Sequence, residues 1–256
     1  MFAEPPLLPT FAPVAAQPTR IWRGRDALIG VGLLVAIFVL VNVLAVAVVV
    51  ALDVDRDDEV GLSFVTASAS IVFGAFLATL VVALARRRRI SMAELGFRRP
   101  DRWGPVGIAV VGSYAAIIAY GAIVTLLNEL GVDTHLFEGG NNIPLDDRPD
   151  GAPLVAWLML FGIAVTIGAP LAEELFFRGL LFRALDGMWP GWIAIAVSGL
   201  AFGAFHVNLP VLSPFSIDGM LFAWSFRASG AIWVSIAAHF IINSVSFIVA
   251  VIEVLN

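Results

Sequence analysis

From Ala27 to Leu52 the chain runs without a single charged residue. At about 1.5 Å per helical residue, such a stretch exceeds the ~30 Å thickness of a bilayer's hydrocarbon core. No water is available there to satisfy backbone N–H and C=O groups, so the backbone must pair internally, and a helix does this within one segment. Comparable apolar stretches follow at 60–85, 104–130, 153–185, 191–209, 217–229 and 231–254. The expected fold is all-α, a polytopic transmembrane helix bundle of about seven spans. Composition supports this: 60% of the 256 residues are hydrophobic and 14% charged, against about 25% charged in soluble domains.

Three segments follow from this partition. Residues 1–26 read as a disordered, Pro-rich tail, since five of the 14 prolines lie in residues 1–19. This stretch lacks the charged start of a secretory signal, and the apolar run after it is too long for a signal core, so the first span reads as a retained anchor. Residues 27–149 hold the N-terminal spans and loops, and 150–254 the region with the chemically interesting residues. Arginines cluster before the first span (Arg20, Arg23, Arg25) and after the second (Arg86 to Arg89, then Arg98, Arg99 and Arg102). The loops at 53–59 and 131–152 are predominantly acidic. The positive-inside rule places the N-terminus and the 86–103 loop in the cytoplasm. Trp103, Trp189, Trp192 and Trp233 sit near span ends as headgroup-level anchors.

Absent residue types exclude whole chemistries. With no cysteine there is no disulfide, thiolate metal site or Cys nucleophile. All 15 basic residues are arginine, so a Lys base, a Schiff base and a Walker-type phosphate loop are ruled out. Nothing points to a nucleic-acid partner; the partners expected are the bilayer and a membrane-associated peptide or protein.

Six polar residues interrupt the apolar second half: Glu173, Glu174, Arg178, His206, His239 and Asn243. An ionisable group inside a span costs roughly 2.5–3.5 kcal/mol on insertion scales and marks a functional site by default. Adjacent Glu173 and Glu174 point about 100° apart on a helix. Glu174 and Arg178, at i and i+4, have the spacing of an ion pair on one face, which leaves Glu173 to face a cavity as general base. His239 and Asn243 share a face by the same spacing. Counted from a turn at 186–190, Glu173 lies about 18–20 Å deep, His206 about 22–24 Å, His239 about 12–14 Å and Asn243 about 18–20 Å. All four therefore fall near mid-membrane. Pro170 lies just before the glutamates, in a segment too long for one straight span, where it removes a backbone bond and kinks or breaks the helix. His135, beside Asp133 and Glu138, reads as a solvated loop residue, and Asp146, Asp147 and Asp150 as a hydrophilic loop.

The motifs Glu173-Glu174-Leu-Phe-Phe-Arg178, Phe202-Gly-Ala-Phe-His206 and His239-Phe-Ile-Ile-Asn243 resemble the CAAX protease and bacteriocin-processing (CPBP, or Abi) family of intramembrane proteases. The resemblance covers roughly residues 150–248, with three motifs in order on separate apolar segments. It implies an intramembrane endopeptidase in which Glu173 activates a water and His206, His239 and Asn243 complete the site. Asn243 would hydrogen-bond the oxyanion, and Glu174 and Arg178 would support the helix. The family has been described both as metalloproteases and as glutamate-type proteases. Glu173, His206 and His239 suffice for a divalent metal, zinc being one candidate, although a ligating Glu173 is less available as the base. The short-looped, Arg-only character points to a bacterial cytoplasmic membrane. Two other classes fit the same residues: a scaffold or bacteriocin-immunity-type protein that sequesters a partner, and a proton-coupled transporter.

Overall fold

A computed structural model describes residues 21–55, 58–137 and 152–255. The tail 1–19, Arg20, Glu138, Arg148 and the Asp146, Asp147 and Asp150 cluster lie outside these. The described residues form helices and no strand. In chain order they are α1 (Gly24–Ala51), α2 (Glu59–Arg88), the short α3 (Met92–Leu95) and α4 (Gly104–Glu129). A long composite helix follows: α5 (Ala152–Ile163), a π-helical segment (Ala164–Gly168), α6 (Ala169–Glu174), a second π-helical segment (Leu175–Phe182) and α7 (Arg183–Asp186). Then come α8 (Gly191–Phe205), α9 (Leu209–Ser229) and α10 (Ile232–Leu255). Among the described residues six helical stretches are long and apolar enough to cross a membrane, and α8 is a shorter apolar helix, consistent with a bundle of about seven spans.

Burial is uneven in a way that suits lipid. α1 leaves most of its apolar side chains exposed, among them Leu28, Val35, Val39, Val43 and Val46. The packed core instead gathers around the composite helix, with Phe176, Phe177, Leu180 and Phe182 against Phe202, Phe222 and Phe226. Polar ties join the N-terminal helices to one another and to it. Arg88 pairs with Asp26, joining the end of α2 to the start of α1. The buried Trp22 indole donates to the Gly179 carbonyl at 2.7 Å. The 3-10 turn His135–Phe137 leaves His135 exposed, its backbone N–H donating to the Asp133 carboxylate.

Two boundaries differ from those expected. α8 ends at Phe205, short of 209, and at about 22 Å it is too short to cross the full hydrocarbon core. α9 begins at Leu209 where the expected span began at 217. The prolines explain the difference: Pro210 sits in the first turn, where its missing N–H costs nothing, and Pro214 is absorbed within the next turn. The extension moves residues 217–219 from the start of a span to the middle of a helix.

α8 and α9 pack at very short range because glycines face each other. A Cβ added at Gly199 would stand 2.6 Å from the Ser216 carbonyl oxygen, and one at Gly203 2.6 Å from that of Leu212. One at Gly219 would stand 2.8 Å from the Gly199 Cα. Gly199 and Gly203 form a Gly-x-x-x-Gly face, and small residues at this spacing let helix backbones approach. The contact fixes α9 against the helix that carries Phe202 and His206.

Candidate active site

Pro170 does not break the composite helix. The backbone widens into the π-helical segment before it, and the Ala169 N–H bonds the Ala164 carbonyl in that register. The next donor in the same register would be residue 170, and proline has none. The Val165 carbonyl so stranded accepts instead from the Asn243 side-chain amide, at 2.9 Å from α10. Asn243 is thus placed by a carbonyl that Pro170 leaves open, 78 residues away. π-Helical insertions in α-helices recur at functional sites, and here one precedes the two glutamates and another follows them.

Glu174 and Arg178 are fully buried, and their side chains meet at 3.1 Å across one helical turn. The pair reaches further than its own helix. The same Glu174 oxygen lies 3.1 Å from Nδ1 of His239 on α10, and Arg178 Nη2 donates to the Gly219 carbonyl on α9 at 2.9 Å. The Glu174–Arg178 pair therefore links three elements, reaching beyond the helix it was expected to support. The guanidinium also lies over the Phe202 ring at 4.8 Å and the Phe222 ring at 5.3 Å, contacts that stabilise a desolvated cation.

Phe202 couples the two imidazoles. Its ring centroid lies 5.1 Å from that of His206 and 5.7 Å from that of His239. His239 also stacks on Phe222 at 4.9 Å. His206 caps the end of α8, with Nδ1 2.9 Å from the Phe202 carbonyl. Each imidazole is thus held through Nδ1 by an acceptor, a carboxylate for His239 and a carbonyl for His206. This orientation favours the Nδ1–H tautomer and leaves Nε2 as the free acceptor. Glu173 is half-buried, and its Oε2 is enclosed without a hydrogen-bond partner among the described residues.

The three-ligand arrangement of Glu173, His206 and His239 is not assembled. Among the described residues no group of three His, Asp or Glu side chains is placed to hold one metal ion. The Nδ1 contacts of His206 and His239 leave each Nε2 free, as in metal-ligating histidines; it is the three side chains that do not converge. As arranged, the three side chains do not fit a three-ligand metal centre.

One buried acid escaped the sequence reading. Asp218, in the middle of α9, is buried beside Ser113, Arg178 and His239. The cost of a carboxyl inside a span would have marked it. The span expected at 217–229 put it at the second position, where an acid carries no such cost.

The family model described as "Type II CAAX prenyl endopeptidase Rce1-like" matches residues 155–245, a range that holds Glu173, Glu174, Arg178, His206, Asp218, His239 and Asn243. A protein of Bacillus subtilis (strain 168), named "Putative membrane peptidase YdiL", is 27% identical over 174 residues. The alignment covers 66% of this chain and 66% of that relative, just under two thirds of its length. No solved structure matches the chain.

Proposed function

We propose, from its buried polar site and its similarity to the Rce1-like family model and to the relative named "Putative membrane peptidase YdiL", that the chain is a CAAX protease and bacteriocin-processing family member, an intramembrane endopeptidase acting on a membrane-associated peptide or protein. The observation that carries this reading is the Glu174–Arg178–His239 network, buried among apolar spans with the half-buried Glu173 at its edge. Such a network is expensive in hydrocarbon, and a peptide-bond hydrolase needs its parts: a base, oriented imidazoles and an amide donor.

In this reading the Glu173 carboxylate takes a proton from a water, whose oxygen adds to the scissile carbonyl carbon. The oxyanion is met by the Asn243 N–H not used on Val165, and the imidazoles orient the water and the carbonyl through Nε2. Collapse of the tetrahedral intermediate breaks the C–N bond as the proton on Glu173 passes to the leaving amine. The products are a carboxylic acid and an amine, with one water consumed. The bilayer proposed is a bacterial cytoplasmic membrane, with the Arg-rich 86–103 segment on the cytoplasmic side.

The test is cleavage of a library of membrane-tethered peptides by the purified full chain. Glu173→Gln and His206→Ala should each abolish it. Cleavage that persists in Glu173→Gln would overturn the mechanism. Solute flux without cleavage would favour the transporter, and an in vivo role that survives both substitutions would favour a scaffold. Added divalent ions or chelators test the metal directly: a rate that falls with chelation and returns with zinc would show that substrate draws the ligands together.

A further inference from the structure

Counting charges around Arg178 shows a carboxyl that the proposed chemistry leaves unused. Glu174 serves two partners through one oxygen, Arg178 and His239, each at 3.1 Å. A carboxylate so shared, and buried with both, is pulled in two directions, and the guanidinium has the stronger hold because it is permanently charged. The Gly219 carbonyl and the Phe202 and Phe222 rings meet part of that charge, and a second acid nearby would meet more. Asp218 is the acid that α9 offers there, one turn before Phe222, whose ring lies under Arg178 and against His239. It is buried next to Gly219, whose carbonyl accepts from Arg178, and it lies beside Arg178, His239 and Ser113. Its Oδ1 is enclosed with no hydrogen-bond partner among the described residues. A buried carboxyl with one oxygen left unpaired is not retained for stability, since apolar residues serve that purpose better. Of the other charged groups nearby, Glu173 also faces the field of Arg178, but its carboxylate is committed to the water.

We propose that Asp218 is a positioning residue of the site: it shares the neutralisation of Arg178 and so frees Glu174 to hold His239 through Nδ1. The assignment rests on the peptidase reading for its effect on turnover, while its effect on His239 stands independently. It adds a carboxyl to what α9 already brings to the site, the Gly219 carbonyl and the Phe222 ring.

The chain has three histidines, His135, His206 and His239, so the full-length protein labelled with 15N-histidine and placed in nanodiscs gives few ring signals. His135→Gln and His206→Gln assign them. In the unsubstituted protein His239 should show a single Nδ1–H tautomer. In Asp218→Asn its signals should move to a tautomer mixture while those of His135 and His206 stay. In the cleavage assay the same substitution should lower kcat about 10- to 100-fold, the range for removing a histidine's orienting support, with KM within twofold. Asp218→Glu keeps the charge and should retain the single tautomer. It also decides the matter should Asp218→Asn fail to fold, since a folded Asp218→Glu with a tautomer mixture would overturn the proposal. Unchanged His239 signals in Asp218→Asn, or a kcat within twofold of the parent, would overturn it as well. A parent protein that cleaves nothing defeats the peptidase reading alone, and the His239 signals then decide for Asp218.

Discussion

Glu173 and Glu174 are neighbours in sequence and opposites in environment, and their substitution should separate chemistry from structure. Glu174→Gln takes the counter-charge from a fully buried guanidinium. Breaking a buried pair from one side costs about 3–5 kcal/mol, so this variant should unfold at clearly lower temperature in detergent and lose cleavage too. Glu173→Gln touches no ion pair among the described residues and should melt like the parent. Its cleavage should fall by at least about 10²–10⁴, the usual contribution of a general base. Arg178→Lys is not conservative here, because one ammonium cannot span both Glu174 and the Gly219 carbonyl as the guanidinium fork does. Thermal melts beside turnover rates check all three.

At the scale of elements, two close approaches are open to test. The Gly199/Gly203 face of α8 admits no side chain toward α9. Gly203→Val should therefore push the helices apart and destabilise the bundle by about 1–3 kcal/mol, as overpacking does, and carry Phe202 and His206 away from His239. The loss should appear in both melting temperature and cleavage. Pro170→Ala probes the opposite case. It supplies the missing N–H, gives the Val165 carbonyl a partner within its own helix, and removes the reason for Asn243 to bond there. Cleavage should fall while thermal stability holds or rises. The partner substitution, Asn243→Ala, leaves the carbonyl unpaired and should cost about 1–3 kcal/mol. Opposite signs in melting temperature for these two variants would mark the Pro170–Val165–Asn243 relation; equal signs would refute it.

For the whole molecule the open quantity is orientation. The chain has no native cysteine, so single introduced cysteines report sidedness without background. Ser91→Cys, in the Arg-rich segment after α2, should react with an impermeant maleimide only from the cytoplasmic side. Asp133→Cys, exposed after α4, should react only from the other. Reversed labelling would invert the topology derived from the arginines.

What the sequence determined by itself was the class and the cost. Apolar runs long enough for a bilayer leave the backbone no choice but helices, because the solvent they imply offers no hydrogen bonds. The same hydrocarbon makes Glu173, Glu174, Arg178, His206, His239 and Asn243 conspicuous, and helical periodicity pairs Glu174 with Arg178 because both lie within one turn. The tertiary structure alone decided which of these residues meet across helices. Arg178 and Gly219 are 41 residues apart, Glu174 and His239 65, and Val165 and Asn243 78; local spacing carries no information about such contacts. They depend on where glycines let α8 and α9 close, and on a stranded carbonyl visible only once the π register is known. Asp218 shows the boundary between the two: its type was plain in the sequence, but its depth followed from α9 starting eight residues early, which Pro210 and Pro214 permitted and helix packing made stable.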